Sequence, residues 1–346
     1  MGSSLVSRAQ ATWRLALPGV LLPAVLLSGC GGGGGGANSI TLYNGQHPQL
    51  TEDLVRAFEA QTGIHVRVRT DDGIVLADQI IEEGSSSPAD VYLTENSPEL
   101  VLLSERHLLA KLPASITDQI PSQHRSPAGT WVGLALRVSA LAYDPALLSA
   151  SKLPQHLLDL ASPRWKGKVA VAPTDSDFVP LVGAVIATHG TSAASRWLSG
   201  LKANATVYQD DEAVVDAVDK GRVAVGIVNQ YYWYRLRLEQ GAAATRSRLY
   251  FFPNHDVGSI ENVSGAAVLA SSAHKTEAKR FVDFLVSAGA EQILASGDDF
   301  EYPVRPGVSA NTALPPLSQI DPAQLSVVQQ GDDRQAASLL QQVGLT

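Results

Sequence analysis

The strongest constraint on this chain is its alternation of short apolar runs with amphipathic segments, in two sets joined by two long extended stretches. In the first set, Ile40 to Tyr43 reads as a buried strand. Pro48 opens a helix with Leu50, Leu54, Val55 and Phe58 on one face and Gly63 just past its end. Val66 to Val68 is a second strand, and Leu76, Ala77, Ile80 and Ile81 mark a helix stopped by Gly84. Ala89 to Leu93 is a third strand, followed by a helix with Ser97 as N-cap and Pro98 in its first turn. The second set runs from a strand at Val169 to Ala172 through helices at Phe178 to Thr188, Ala193 to Ala203 and around Val214. A strand at Val223 to Val228 and a helix from Tyr231 to Glu239 close it. Strand–helix alternation of this kind gives an α/β layer fold with a largely parallel sheet. The extended stretches, Trp131 to Tyr143 and Val263 to Ala270, would cross between two lobes as a two-strand hinge. Further helices are expected at Ala278 to Val286 and near Leu339.

At 346 residues, 45% hydrophobic and 17% charged, the chain is long and apolar enough for about two packed domains. A formal charge of -8 argues against nucleic acid as a partner. The single cysteine, Cys30, excludes a disulfide framework and any cysteine-rich metal site. Cys30 follows Arg8, Arg14 and the apolar run Leu15 to Leu27, which is too short and Pro-rich to span a bilayer. Leu27-Ser28-Gly29-Cys30 resembles a bacterial lipoprotein cleavage box, with Cys30 as the lipidated first residue. Gly31 to Gly36 form a flexible tether, and about eight residues of this kind average roughly 15 Å end to end, which would moor the body close to the membrane.

Catalytic signatures are missing: there is no G-x-S-x-G elbow, Walker A lysine or H-E-x-x-H pair. Three strands instead end in donors suited to a hard metal, and open α/β sheets bind ligands outside the carboxyl ends of their strands. The first runs into Tyr43-Asn44-Gly45-Gln46-His47, the third into Thr94-Glu95-Asn96, and the strand at Val223 into Asn229-Gln230-Tyr231-Tyr232-Trp233-Tyr234. Taken singly, His47 suits a turn, Glu95 a solvated loop, and the aromatic run core packing, a sugar platform or an interface. Ionising a tyrosine at pH 7 costs roughly 4 kcal/mol, so two phenolates cost roughly 8 kcal/mol. A hard ion of high charge offsets that better than a divalent one. Two phenolates and one carboxylate balance Fe(III), and the positive end of a helix starting near Tyr231 would favour the phenolates.

From about Ile40 to Pro306 the chain resembles the bacterial periplasmic ferric-ion-binding proteins, substrate-binding subunits of iron(III) ABC importers. The segments that carry the likeness are Tyr43 to His47, Ser87 to Val91 with Glu95, Pro163 to Lys166, Trp197 to Lys202, Asn229 to Trp233 and Val263 to Leu269. The resemblance implies a two-lobed type II periplasmic-binding-protein fold and Fe(III) held by His47, Glu95, Tyr231 and Tyr232. It also implies a small anion on the second lobe, where the family has small residues and two Asn. This chain departs there: it carries Pro173-Thr174-Asp175-Ser176-Asp177, with Asp211 at one Asn position and Asn229 at the other. Carboxylates so placed would repel phosphate. Either an Asp, Asp175 first, supplies the missing oxygen, or a less charged anion or water does; otherwise the Asp side chains point to solvent. Arg305, where the family usually has Asn, either pairs with these acids or lies on the surface.

The expectation is an extracytoplasmic Fe(III)-binding lipoprotein and no enzyme, delivering to an ABC permease as a monomer, in the periplasm or on the outer face of the cytoplasmic membrane. A ferric chelate or a small organic ion is the alternative cargo. Residues 1–29 would be the signal and 30–38 the tether, with 39–136 and 264–305 as lobe 1, and 137–263 and 306–346 as lobe 2.

Overall fold

A computed structural model describes residues 38–346; the signal, Cys30 and Gly31 to Gly36 lie outside the described residues. The chain opens with β1 (Ser39–Gly45), α1 (Pro48–Thr62), β2 (His65–Thr70), α2 (Gly73–Glu83), β3 (Val91–Thr94), α3 (Ser97–Glu105) and α4 (Ala114–Thr117). It then crosses through β4 (Trp131–Tyr143). The second set is β5 (Val169–Val171), α5 (Phe178–His189), α6 (Thr191–Asn204), β6 (Ala205–Val207), α7 (Asp211–Asp219), β7 (Val225–Asn229), α8 (Gln230–Gln240) and β8 (Arg248–Tyr250). The chain returns through β9 (Glu261–Val268) to α9 (Lys275–Leu285), α10 (Ala288–Ser296) and β10 (Tyr302–Pro303). It finishes with α11 (Leu317–Ile320), α12 (Val327–Gln330) and α13 (Arg334–Val343).

The strands follow the order β2-β1-β3-β9-β4-β7-β5-β6, with β8 and β10 also paired to β4. β1 is parallel to β2 and β3, and β5 is parallel to β6 and β7, as the strand–helix alternation requires. The two expected crossings are β4 and β9, antiparallel to each other. β4 serves both lobes: Trp131 to Val138 pair with β9, and Ser139 to Tyr143 pair with β7. Every residue of β4 is buried, which explains its unbroken apolar run. Gly133 and Gly265 face each other across these strands. A Cβ on Gly133 would meet the His124 carbonyl at 2.6 Å, and one on Gly265 the Val132 carbonyl at 2.6 Å. Both positions therefore need glycine.

One core cluster gathers Ile40, Phe58, Trp131 and Phe281 and extends to Val214, Tyr231 and Tyr232. A second gathers Leu141, Trp197, Val225 and Leu339. Leu314, Ile320 and Val327 pack in the first cluster, and Ala336, Leu339 and Leu340 in the second. The third helix is N-capped by Asn96, one residue earlier than expected.

Candidate metal centre

Parallel pairing sets the first half of the site. β1 and β3 lie side by side with Gly45 opposite Thr94, and the Glu95 amide donates to the Gly45 carbonyl at 3.3 Å. The two strand ends therefore bring His47 and Glu95 together, with His47 Nε2 2.8 Å from Glu95 Oε1. Pro48 at the start of α1 turns the chain away just after His47.

The second half comes from the other lobe. β7 ends at Asn229, which caps α8 and places Tyr231 and Tyr232 in its first turn. Gln230 pins that turn: its Oε1 accepts from the Val138 amide at 2.6 Å, and its Nε2 donates to the Phe300 carbonyl at 3.0 Å. The Tyr231 and Tyr232 rings lie 3.9 Å apart, and the Tyr231 ring is 5.5 Å from the His47 ring. Tyr231 is fully buried and Tyr232 nearly so. Tyr234 lies outside this group, stacked on Phe300.

Arg137, in the middle of β4, ties the halves together. It is completely buried, and Nη1 donates to the Glu95 carbonyl at 2.8 Å while Nη2 donates to Asn96 Oδ1 at 2.9 Å. On its other side Nε and Nη2 donate to Asp177 Oδ1 at 3.1 and 2.6 Å. The other oxygen of Asp177 accepts from the Tyr231 hydroxyl at 3.2 Å. Asp177 is thus the acid that meets the Tyr231 hydroxyl.

Asp175, expected to be the first oxygen donor, has both oxygens engaged elsewhere: they accept from the backbone amides of Asp177 and Asp211, each at 3.0 Å. Asp211 accepts from the Asn229 amide at 3.1 Å. Asp175, Asp177 and Asp211 place carboxylate oxygens within 4.8 Å of one another, and Asp177 and Asp211 are buried, so these acids do not point to solvent. Asn229 Oδ1 accepts from Ser139 at 3.0 Å, and its Nδ2 has no hydrogen-bond partner among the described residues. Ser176 instead lines a cavity of about 180 Å³ with His47, Glu95 and Glu99. Arg305 is far from this cluster in its contacts: it donates to Gln119 and to the Val286 carbonyl.

His47 also faces acids that lie at no strand end of the two sets. Its Nδ1 lies 3.4 Å from Asp299 and 3.7 Å from Glu301, a carboxylate with no exposure. Burial alone would lower the His47 pKa, but Glu95, Glu301 and Asp299 overcome it and raise it to about 9. Burial, with nearby carboxylates, pushes the Tyr231 and Tyr232 phenols well above their ordinary value. Burial opposes the ionisation of Asp177 as well, yet the Arg137 guanidinium holds its pKa below the ordinary carboxylate value. Burial and the neighbouring acids push Asp175 and Asp211 up. Glu301 is raised by burial to about 7. The free site is therefore proton-rich: an imidazolium and two phenols surrounded by carboxylates.

Donors from two α/β lobes, converging at strand ends beside a pair of crossing strands, define a cleft-type binding protein. The model of the bacterial extracellular solute-binding protein family matches residues 86–323, and the chain belongs to this family. It is a solute-binding protein and not an enzyme. It is 37% identical over 306 residues to an Fe(3+)-binding periplasmic protein of Serratia marcescens, covering 88% of this chain and 90% of that one. It is 37% identical over 308 residues to a major ferric iron-binding protein of Neisseria meningitidis, covering 88% and 93%. Iron-bound HitA from Pseudomonas aeruginosa superposes with a TM-score of 0.84 at 40% identity, covering 88% of this chain and 99% of that one. No helix among the described residues is long and apolar enough to cross a membrane.

Proposed function

We propose that this protein captures Fe(III) between its lobes and delivers it, as a lipid-anchored monomer, to an ABC permease. His47, Glu95, Tyr231 and Tyr232 are the proposed ligands. The observation that carries this is the His47–Glu95 contact at 2.8 Å in one lobe, set against the packed Tyr231–Tyr232 pair of the other. A cation of high charge offsets the ionisation of two buried phenols better than a divalent one, and one carboxylate with two phenolates neutralises a trivalent ion. Relatives at 37% identity that are named for ferric iron support the same cargo. The Cys30 box and the Gly31 to Gly36 tether support the anchor. β4 and β9 would be the hinge that closes the lobes on the ion.

Ferric citrate is added to the protein and excess citrate is washed out before a visible spectrum is recorded. A phenolate-to-iron charge-transfer band is expected in the parent and in Tyr234→Phe, and its loss or shift in Tyr231→Phe and Tyr232→Phe. A folded parent that stays colourless would remove the ferric reading. Equal effects at all three tyrosines would remove the ligand assignment.

A further inference from the structure

The acid turn carries an inference that rests on the ferric reading and deepens it. Four protein donors leave open positions on a hard trivalent ion, which takes an octahedral set. The starts of α5, α7 and α8 converge beside Tyr231 and Tyr232, and converging helix N-termini are ready-made anion sites. Here that capacity is already taken by the chain itself. The Asp177 amide at the start of α5 and the Asp211 amide at the start of α7 donate to the Asp175 carboxylate, each at 3.0 Å. The Asn229 amide at the start of α8 donates to Asp211 at 3.1 Å. The pocket lined by Ser139, Asp177, Asp211 and Asn229, behind the acid turn, is about 10 Å³, room for a water and not for a phosphate.

Asp177 is the acid of the three that hydrogen-bonds to a phenol, that of Tyr231. One of its oxygens is clamped by Arg137 Nε and Nη2, at 3.1 and 2.6 Å, and the other accepts from the Tyr231 hydroxyl at 3.2 Å. Charge counting agrees with the geometry. Fe(III) with the Glu95 carboxylate and two phenolates sums to zero, and so does the Arg137–Asp177 pair. A phosphate added to this buried, acid-lined place would carry its full negative charge uncompensated.

We propose that Asp177, fixed by Arg137, is a built-in anion beside the metal position, so that this protein holds ferric ion without phosphate, carbonate or citrate. Arg137 is then a positioning residue and Asp177 the determinant of anion independence.

The test loads the full-length protein from ferric nitrilotriacetate, desalts it into buffer free of phosphate, carbonate and citrate, and then adds phosphate. The readouts are the charge-transfer band, the rate of iron release to a competing chelator, and radiolabelled phosphate retained in equilibrium dialysis. The parent is expected to form its band without phosphate, to retain none, and to change its release rate by less than about twofold. Asp177→Ser is expected to release iron at least about tenfold faster and to recover slow release once phosphate binds. A parent whose release slows about tenfold with phosphate, or that retains phosphate with its iron, overturns the proposal. So does an Asp177→Ser protein that matches the parent in band, release and phosphate retention. The parent arm decides alone if the variant does not fold. A parent that forms no band with any anion present defeats the ferric reading itself, and this inference with it.

Discussion

Iron should enter this site only by expelling protons, and the number can be worked from the structure. At pH 7 the free site holds a proton on His47, whose pKa is raised to about 9 by Glu95, Glu301 and Asp299 against its burial. Tyr231 and Tyr232 keep theirs because burial pushes both phenols well up. Ligation needs neutral imidazole and two phenolates, so about three protons leave per ferric ion. Glu301, raised to about 7 and 3.7 Å from His47, adds a fraction more when a trivalent charge arrives. The bound state carries fewer protons than the free state, so affinity rises with pH. Three protons correspond to roughly a thousandfold, or about 4 kcal/mol, per pH unit below pH 9. Above about pH 9 His47 is already neutral and the slope falls to about two protons. The assay is a pH-stat titration with ferric nitrilotriacetate, read as parent minus variant so that protons from the iron source cancel. His47→Gln, Tyr231→Phe and Tyr232→Phe should each reduce the release by about one proton. A parent that releases no more protons than the Tyr231→Phe/Tyr232→Phe double variant would refute the reasoning.

Two further outcomes follow from the buried charges. Arg137→Met leaves the Asp177 carboxylate buried without its guanidinium, and should cost about 3–5 kcal/mol in urea unfolding of the metal-free protein. Converting Asp177 to Leu as well should recover most of that loss; no recovery would show that the pair is not what the mutation breaks. Glu99 accepts from the Tyr92 and Thr94 hydroxyls, and burial raises its pKa to about 8. The folded carboxyl keeps a proton that the unfolded chain loses near its ordinary pKa, so the parent loses stability as pH rises from about 5 to about 8. The full effect is on the order of 4 kcal/mol. Glu99→Gln should not show this loss and should gain on the parent across the same window; parallel stability curves for the two would contradict the assignment.

The α/β class, the crossings β4 and β9, and the strand-end places of His47, Glu95, Tyr231 and Tyr232 are legible because each is written locally. Period-two and period-3.6 patterns mark the elements, and Pro and Gly mark their ends. The nearness of His47 to Glu95 follows from their places at strand ends, since parallel neighbours bring their carboxyl ends to one edge. Arg137 carries no local motif inside its apolar run, although a lone guanidinium in a stretch buried at every position must find partners. Its partners Glu95, Asn96 and Asp177 are about 40 residues away in sequence, so no local pattern could name them. Asp299 and Glu301 reach His47 across an even longer separation, through the pairing of β10 with β4. The choice between Asp175 and Asp177 turned on which carboxylate folds back on backbone amides, a detail of turn geometry that residue types alone leave open.

The most direct measurement is a crystal structure of the iron-loaded protein, with anomalous maps recorded on either side of the iron absorption edge. The expected result is one iron peak between the lobes, bonded to His47 Nε2, a Glu95 oxygen and the Tyr231 and Tyr232 phenolate oxygens. An iron peak elsewhere, or one at this place with neither phenolate within bonding distance, would contradict it.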